Sequence, residues 1–137
     1  MRFAAFLAAA ACILSAAPVW AHHSFAAEFD SRRQIHLMGR VTRVEWTNPH
    51  AWIHINVKNP DGKMTEWTIE AGTPNTLLRR GFTKDSLKRG MDIVVDGYQA
   101  KDGSNNANGQ DVTLPDGHKL SLRSSGKGAP YEENSGK

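Results

Sequence analysis

The chain has 137 residues, 39% hydrophobic and 23% charged, with a formal net charge of +3. That length suits one domain with a modest core. So small an excess of positive charge gives no electrostatic footing for nucleic acid, which is therefore not expected among the partners.

The first 21 residues read as a cleavable secretory signal peptide. Arg2 supplies a positive start, Phe3 to Ala17 form an apolar run too short for a membrane span of ~20 residues, and Pro18 breaks it. Val19-Trp20-Ala21 then fits a cut after Ala21. Two other readings of this stretch are a retained anchor helix and a lipoprotein built on Cys12. The cut removes Cys12, the single cysteine, and so excludes disulfides, thiolate ligands and a cysteine nucleophile from the mature chain. It also removes one positive charge, leaving +2. The expected location is the periplasm or the exterior, with no membrane span after cleavage.

Residues 22–34 form a mixed N-terminal segment, expected to run extended or coiled. The domain proper is expected over residues 35–123. Ile35 to Trp46 alternates in polarity, but the apolar phase slips after Val41 and resumes at Val44 and Trp46. Such a slip predicts a bulge that bends a strand around a small barrel. Thr47-Asn48-Pro49 breaks this strand. Ala51 to Lys58 is a second strand with Ile53, Ile55 and Val57 inward. Asn59-Pro60-Asp61-Gly62 is a hairpin turn, and Lys63 to Glu70 returns.

Thr73-Pro74, followed by a basic last turn and Gly81, marks a two-turn helix; residues 83–88 could add a further turn. Met91 to Ala100 is a strand, Asp102 to Gln110 a polar loop, and residues 112–122 two short strands about a Pro115-Asp116-Gly117 turn. Residues 124–137 are rich in Gly, Ser and charge and read as a disordered tail. Three strands, one short helix between strands 3 and 4, then further strands is the order of a mainly β, five-stranded OB-like barrel. A β-sandwich or an open α+β sheet are the alternatives.

The string HHSFAAEFD at residues 22–30, VEWTNPHAWI at 44–53 and GYQAKDGSNNAN at 97–108 resemble a group of small secreted bacterial proteins, catalogued as a domain of unknown function. The resemblance spans the mature chain. It implies export and an OB-like domain, and no activity.

Histidine carries what chemistry there is. A cut after Ala21 gives His22 a free α-amine beside its own ring nitrogen, a chelating pair, and His23 adds a second imidazole. Nitrogen-rich sets of this kind suit Cu(II), with Zn(II) as the other candidate. A cut one residue earlier would place a histidine third, which also chelates Cu(II) or Ni(II). His50, beside the proline break, is placed to meet a distant segment and completes the expected metal set of His22, His23 and His50. His50 and His54 lie ~13 Å apart along an extended strand and cannot share an ion. His54 could sit across from His36. The other expectation is a non-metal module that holds an envelope protein, a small ligand or a glycan on a face around Trp52, with His54 and His36 nearby. Trp52 could instead pack under Phe25 and Phe29. No Gly-x-Ser-x-Gly, phosphate loop or His-Glu-x-x-His occurs, so no catalytic residue is assigned and an enzyme is the weaker expectation.

Overall fold

The computed structural model describes residues 25–123. The expected signal peptide, His22, His23 and the C-terminal tail lie outside the described residues. A short helix α1 (Phe25–Glu28) leads directly into a 17-residue strand β1 (Phe29–Glu45). Then come β2 (Trp52–Lys58), β3 (Met64–Glu70), α2 (Pro74–Arg79), β4 (Asp92–Ala100), β5 (Asn106–Thr113) and β6 (Lys119–Ser121). The strand order is β3-β2-β1-β4-β5-β6, and an additional parallel pairing of β3 with β5 closes the first five into a ring. The fold is thus the expected OB-like barrel with one helix between β3 and β4.

β1 joins the two halves of the ring because it serves two partners. Its first part pairs with β4 from Phe29 to Arg40, and its last part pairs with β2 from Gly39 to Glu45. The β1–β2 register shifts between Val41 and Arg43, at the phase slip seen in the sequence. The inserted residue sharpens the twist and lets one strand turn the corner of a barrel. Ile53, Ile55, Ile69, Val95, Leu77, Val112 and Leu122 fill the interior with no measurable exposure. α2 caps it through Leu77. That helix starts where Thr73 accepts from the Thr76 amide at 3.2 Å and Pro74 occupies the first turn. Residues 83–88 form turns rather than a further helical turn.

Two expectations need correction. β1 begins at Phe29, six residues before Ile35, because Phe29 pairs with Ala100 and is buried with Tyr98. The segment Asp102 to Gln110 is only partly a loop: β5 begins at Asn106. Asn and Gly are poor strand formers, and polarity alone suggested a loop. Here small residues are required by close packing. A Cβ on Gly109 would come within 2.8 Å of both Ile69 and Leu122, and one on Gly97 would strike the Asn108 carbonyl. β5 is wedged between β3 and β4, and its inward positions are Ala107 and Gly109 for that reason.

Candidate functional site

The break between β1 and β2 positions His50. It follows a cis Asn48–Pro49 peptide, and Thr47 donates its hydroxyl to the His50 carbonyl at 3.3 Å. The next residue is stitched to the end of β3: Ala51 N–H donates to Gly72 and Ala71 N–H donates to Ala51, at 3.0 and 2.9 Å. This brings the His50 ring against the chain after β3. Its Nδ1 lies 3.0 Å from the Ala71 carbonyl and 3.7 Å from a Glu70 carboxylate oxygen. A carbonyl can only accept, so Nδ1 carries the proton and the lone pair resides on Nε2. That is the arrangement that fixes a ligating histidine in the required tautomer. The His50 side chain is 23% exposed and Glu70 12%.

Glu70 stands opposite Trp52 in the β2–β3 ladder. Both line a cleft of about 450 Å³, together with Asn106. Ala27, Glu28 and Phe29 form another wall, and Ala100, Lys101 and Asp102 a third. The N-terminal wall is fixed by ring packing. Phe25 meets the edge of Tyr98 at 5.4 Å and 83°, and Phe29 at 5.7 Å. The Lys101 amide donates to the Glu28 carbonyl at 2.9 Å. Phe25 and Phe29 thus pack on Tyr98, not over Trp52, which is left half-buried in the cleft. Hydrogen bonds from Ser104 hold the Asp102 carboxyl below the usual carboxylate range, so the cleft keeps that charge in mild acid.

His54 is placed differently from expectation. It is 5% exposed, on the outer face between Glu45 and Glu66. Its Nε2 donates to Glu45 at 2.7 Å, and its Nδ1 accepts from the Thr68 hydroxyl at 3.3 Å. Both nitrogens are used, so His54 has no lone pair for a metal or an external ligand. The bond from His54 in turn lowers the pKa of Glu45. Nor does His54 meet His36, which bonds Asp96 of β4 through Nδ1 at 2.5 Å and is 71% exposed on its side chain. His36 lies on the half of β1 that pairs with β4, whereas His54 belongs to β2 and pairs with the other half of β1 at Arg43. Sequence reasoning overlooked Glu70 as a neighbour of His50; counting back symmetrically from Asn59–Gly62 would set Ile69 opposite Trp52, and the observed register runs one residue further because Asn59 meets Lys63 at the turn. Among the described residues, no group of three or more His, Cys, Asp or Glu is gathered as a metal cage.

A family model matches residues 10–110: Family of unknown function (DUF6152). The chain belongs to this family. No curated protein matches the DUF6152 chain. Among solved structures it is similar to the mitochondrial single-stranded DNA binding protein Rim1 of S. cerevisiae. The identity is 14% and the TM-score 0.45, over 60% of this chain and 93% of that one. A selenomethionine-labelled form of Rim1 gives 12%, 0.41, 59% and 91%. The exclusion of nucleic acid drawn from net charge is therefore corrected: structural neighbours include single-stranded DNA binding proteins, and a near-neutral total does not rule that class out. At these values the likeness carries no argument about what this chain binds.

Proposed function

We propose that this DUF6152 chain is an exported binding protein of the cell envelope that holds a divalent metal ion, Cu(II) foremost, through His50 and the N-terminal histidines. The observation that carries this reading is the His50 ring: Nδ1 is committed to the Ala71 carbonyl, so Nε2 is the nitrogen available to an ion. Its neighbour Glu70 lines the same cleft as Ala27 to Phe29. His23 precedes Phe25, the first residue of α1, by two residues, a span of at most roughly 7 Å. Processing after Ala21 would add the α-amine of His22, giving a nitrogen-rich set that favours Cu(II) over Zn(II).

Calorimetric titration of envelope-purified protein, with its N-terminus established by mass analysis, tests the reading. One Cu(II) per chain is expected, with affinity reduced at least about tenfold in His50→Ala and further in a His22→Ala, His23→Ala double variant. Weak binding that is the same in all variants overturns it.

One observation favours a second reading. Trp52 presents a half-buried ring in a cleft that also holds Asp102 and the Asn106 amide, a combination suited to a small polar ligand such as an envelope glycan. Binding of that kind would survive chelators and be lost in Trp52→Ala.

A further inference from the structure

Two of the three large apolar side chains left exposed among the described residues are methionines, Met38 at 71% and Met64 at 57%. They share one groove of about 660 Å³, on a different part of the barrel from the Trp52 cleft, with Lys58, Arg40 and Arg89 on its walls. The register explains why they meet. Met64 faces Lys58 across the β2–β3 ladder, and Gly39 faces Val57 across β1–β2, so Met38, Lys58 and Met64 form one cross-strand row. The chain after α2 closes the far side. Gly90 N–H donates to the Val41 carbonyl and Val41 N–H to the Met91 carbonyl, both at 2.8 Å, which sets Arg89 at the rim.

The charges are not all spent. Asp92 holds Arg40 through two bonds of 2.8 and 3.1 Å. Lys58 and Arg89 are exposed and meet no carboxylate among the described residues. The groove therefore offers two flexible thioethers, able to repack around varied apolar side chains, and two uncompensated cations. We infer that it docks an extended acidic segment of a partner protein, apolar side chains against Met38 and Met64 and carboxylates toward Lys58 and Arg89. Charge complementarity decides the sign of the occupant. Concavity argues against a bilayer, whose flat face would not reach the floor at Gly39 and Val41. The lining has no aromatic ring on which a base could stack.

The test uses 13C-labelled methionine methyl groups as reporters, with Met91, whose half-buried side chain packs against the core and is not part of the groove lining, as internal control. The probe is an acetylated, amidated hexapeptide of alternating Glu and Leu; an alternating Lys and Leu hexapeptide and phosphatidylglycerol vesicles are the comparisons. The Glu-Leu peptide is expected to shift the Met38 and Met64 signals and leave Met91 in place. In a Lys58→Glu, Arg89→Glu double variant with an unchanged far-UV spectrum, the apparent affinity should fall at least about tenfold. Absence of a shift at millimolar peptide, or an equal response to the Lys-Leu peptide, overturns the proposal. A response to the vesicles alone replaces the peptide with a lipid surface and also overturns it.

Discussion

The Nδ1 of His50 and the carbonyl oxygen of Ala71 are 3.0 Å apart, a bond between the entrance of β2 and the exit of β3. It makes one ring nitrogen a structural donor and leaves the other as a base. His54, four residues on, spends both nitrogens on Glu45 and Thr68. The histidine before β2 and the one within it thus differ: His50 commits one ring nitrogen to the Ala71 carbonyl and in the proposed reading offers the other to an ion, whereas His54 ties three strands together.

That difference is measurable without any ligand. Ring 15N shifts in the metal-free protein should show His50 as the Nδ1–H tautomer and His54 as the Nε2–H tautomer. Finding His50 with the proton on Nε2 would remove the lone pair on which the metal reading rests.

Acid should weaken the outer face at Glu45. The bond from His54 lowers the folded-state pKa of this carboxyl. A depressed folded pKa gives a contribution that is complete above the ordinary carboxylate range and is lost as pH falls through the depressed value. The urea midpoint of the wild-type protein should therefore exceed that of Glu45→Gln near neutrality, and the two should converge in acid. Glu45 is half-exposed, so the gap should also shrink in high salt.

Replacing His54 itself should cost more than replacing Glu45. His54→Ala empties a buried position and leaves Thr68 without its acceptor. A loss of about 1–3 kcal/mol is expected, seen as a lower denaturant midpoint at unchanged slope. Cu(II) affinity should stay within about twofold of wild type, since this residue holds no free nitrogen.

Gly109→Ala tests the close packing of β5. The added methyl meets Ile69 and Leu122 at 2.8 Å in a filled core. Destabilisation of about 1–3 kcal/mol is expected, which lowers Tm by roughly 4–8 °C per kcal/mol in a domain of this size. An unchanged Tm would mean that β5 has room to move away from β3.

Much of the barrel was legible in the residues. The slip between Val41 and Val44 marked the bulge, and Ile53, Ile55 and Ile69 marked the inward faces. Thr73-Pro74 marked the start of α2. What could not be read was set by tertiary contact. Phe29 is a strand residue because Tyr98 and Ala100 receive it, and neither is near it in sequence. Asn106 to Gly109 form a strand because the gap between β3 and β4 admits only small inward side chains. Alternation placed His54 on the face opposite Ile53 and Ile55, as a surface or hydrogen-bonded histidine. It is buried because its outer-face neighbours, Glu45, Glu66 and Thr68, close over it.

Electron paramagnetic resonance of the protein loaded with one equivalent of Cu(II), native against His50→Ala, tests the metal reading most directly. Chain processed after Ala21 should give a tetragonal, nitrogen-coordinated spectrum with imidazole modulation, and His50→Ala should remove one imidazole from it. A native spectrum identical to that of the His50→Ala variant would contradict the assignment of His50 as a ligand.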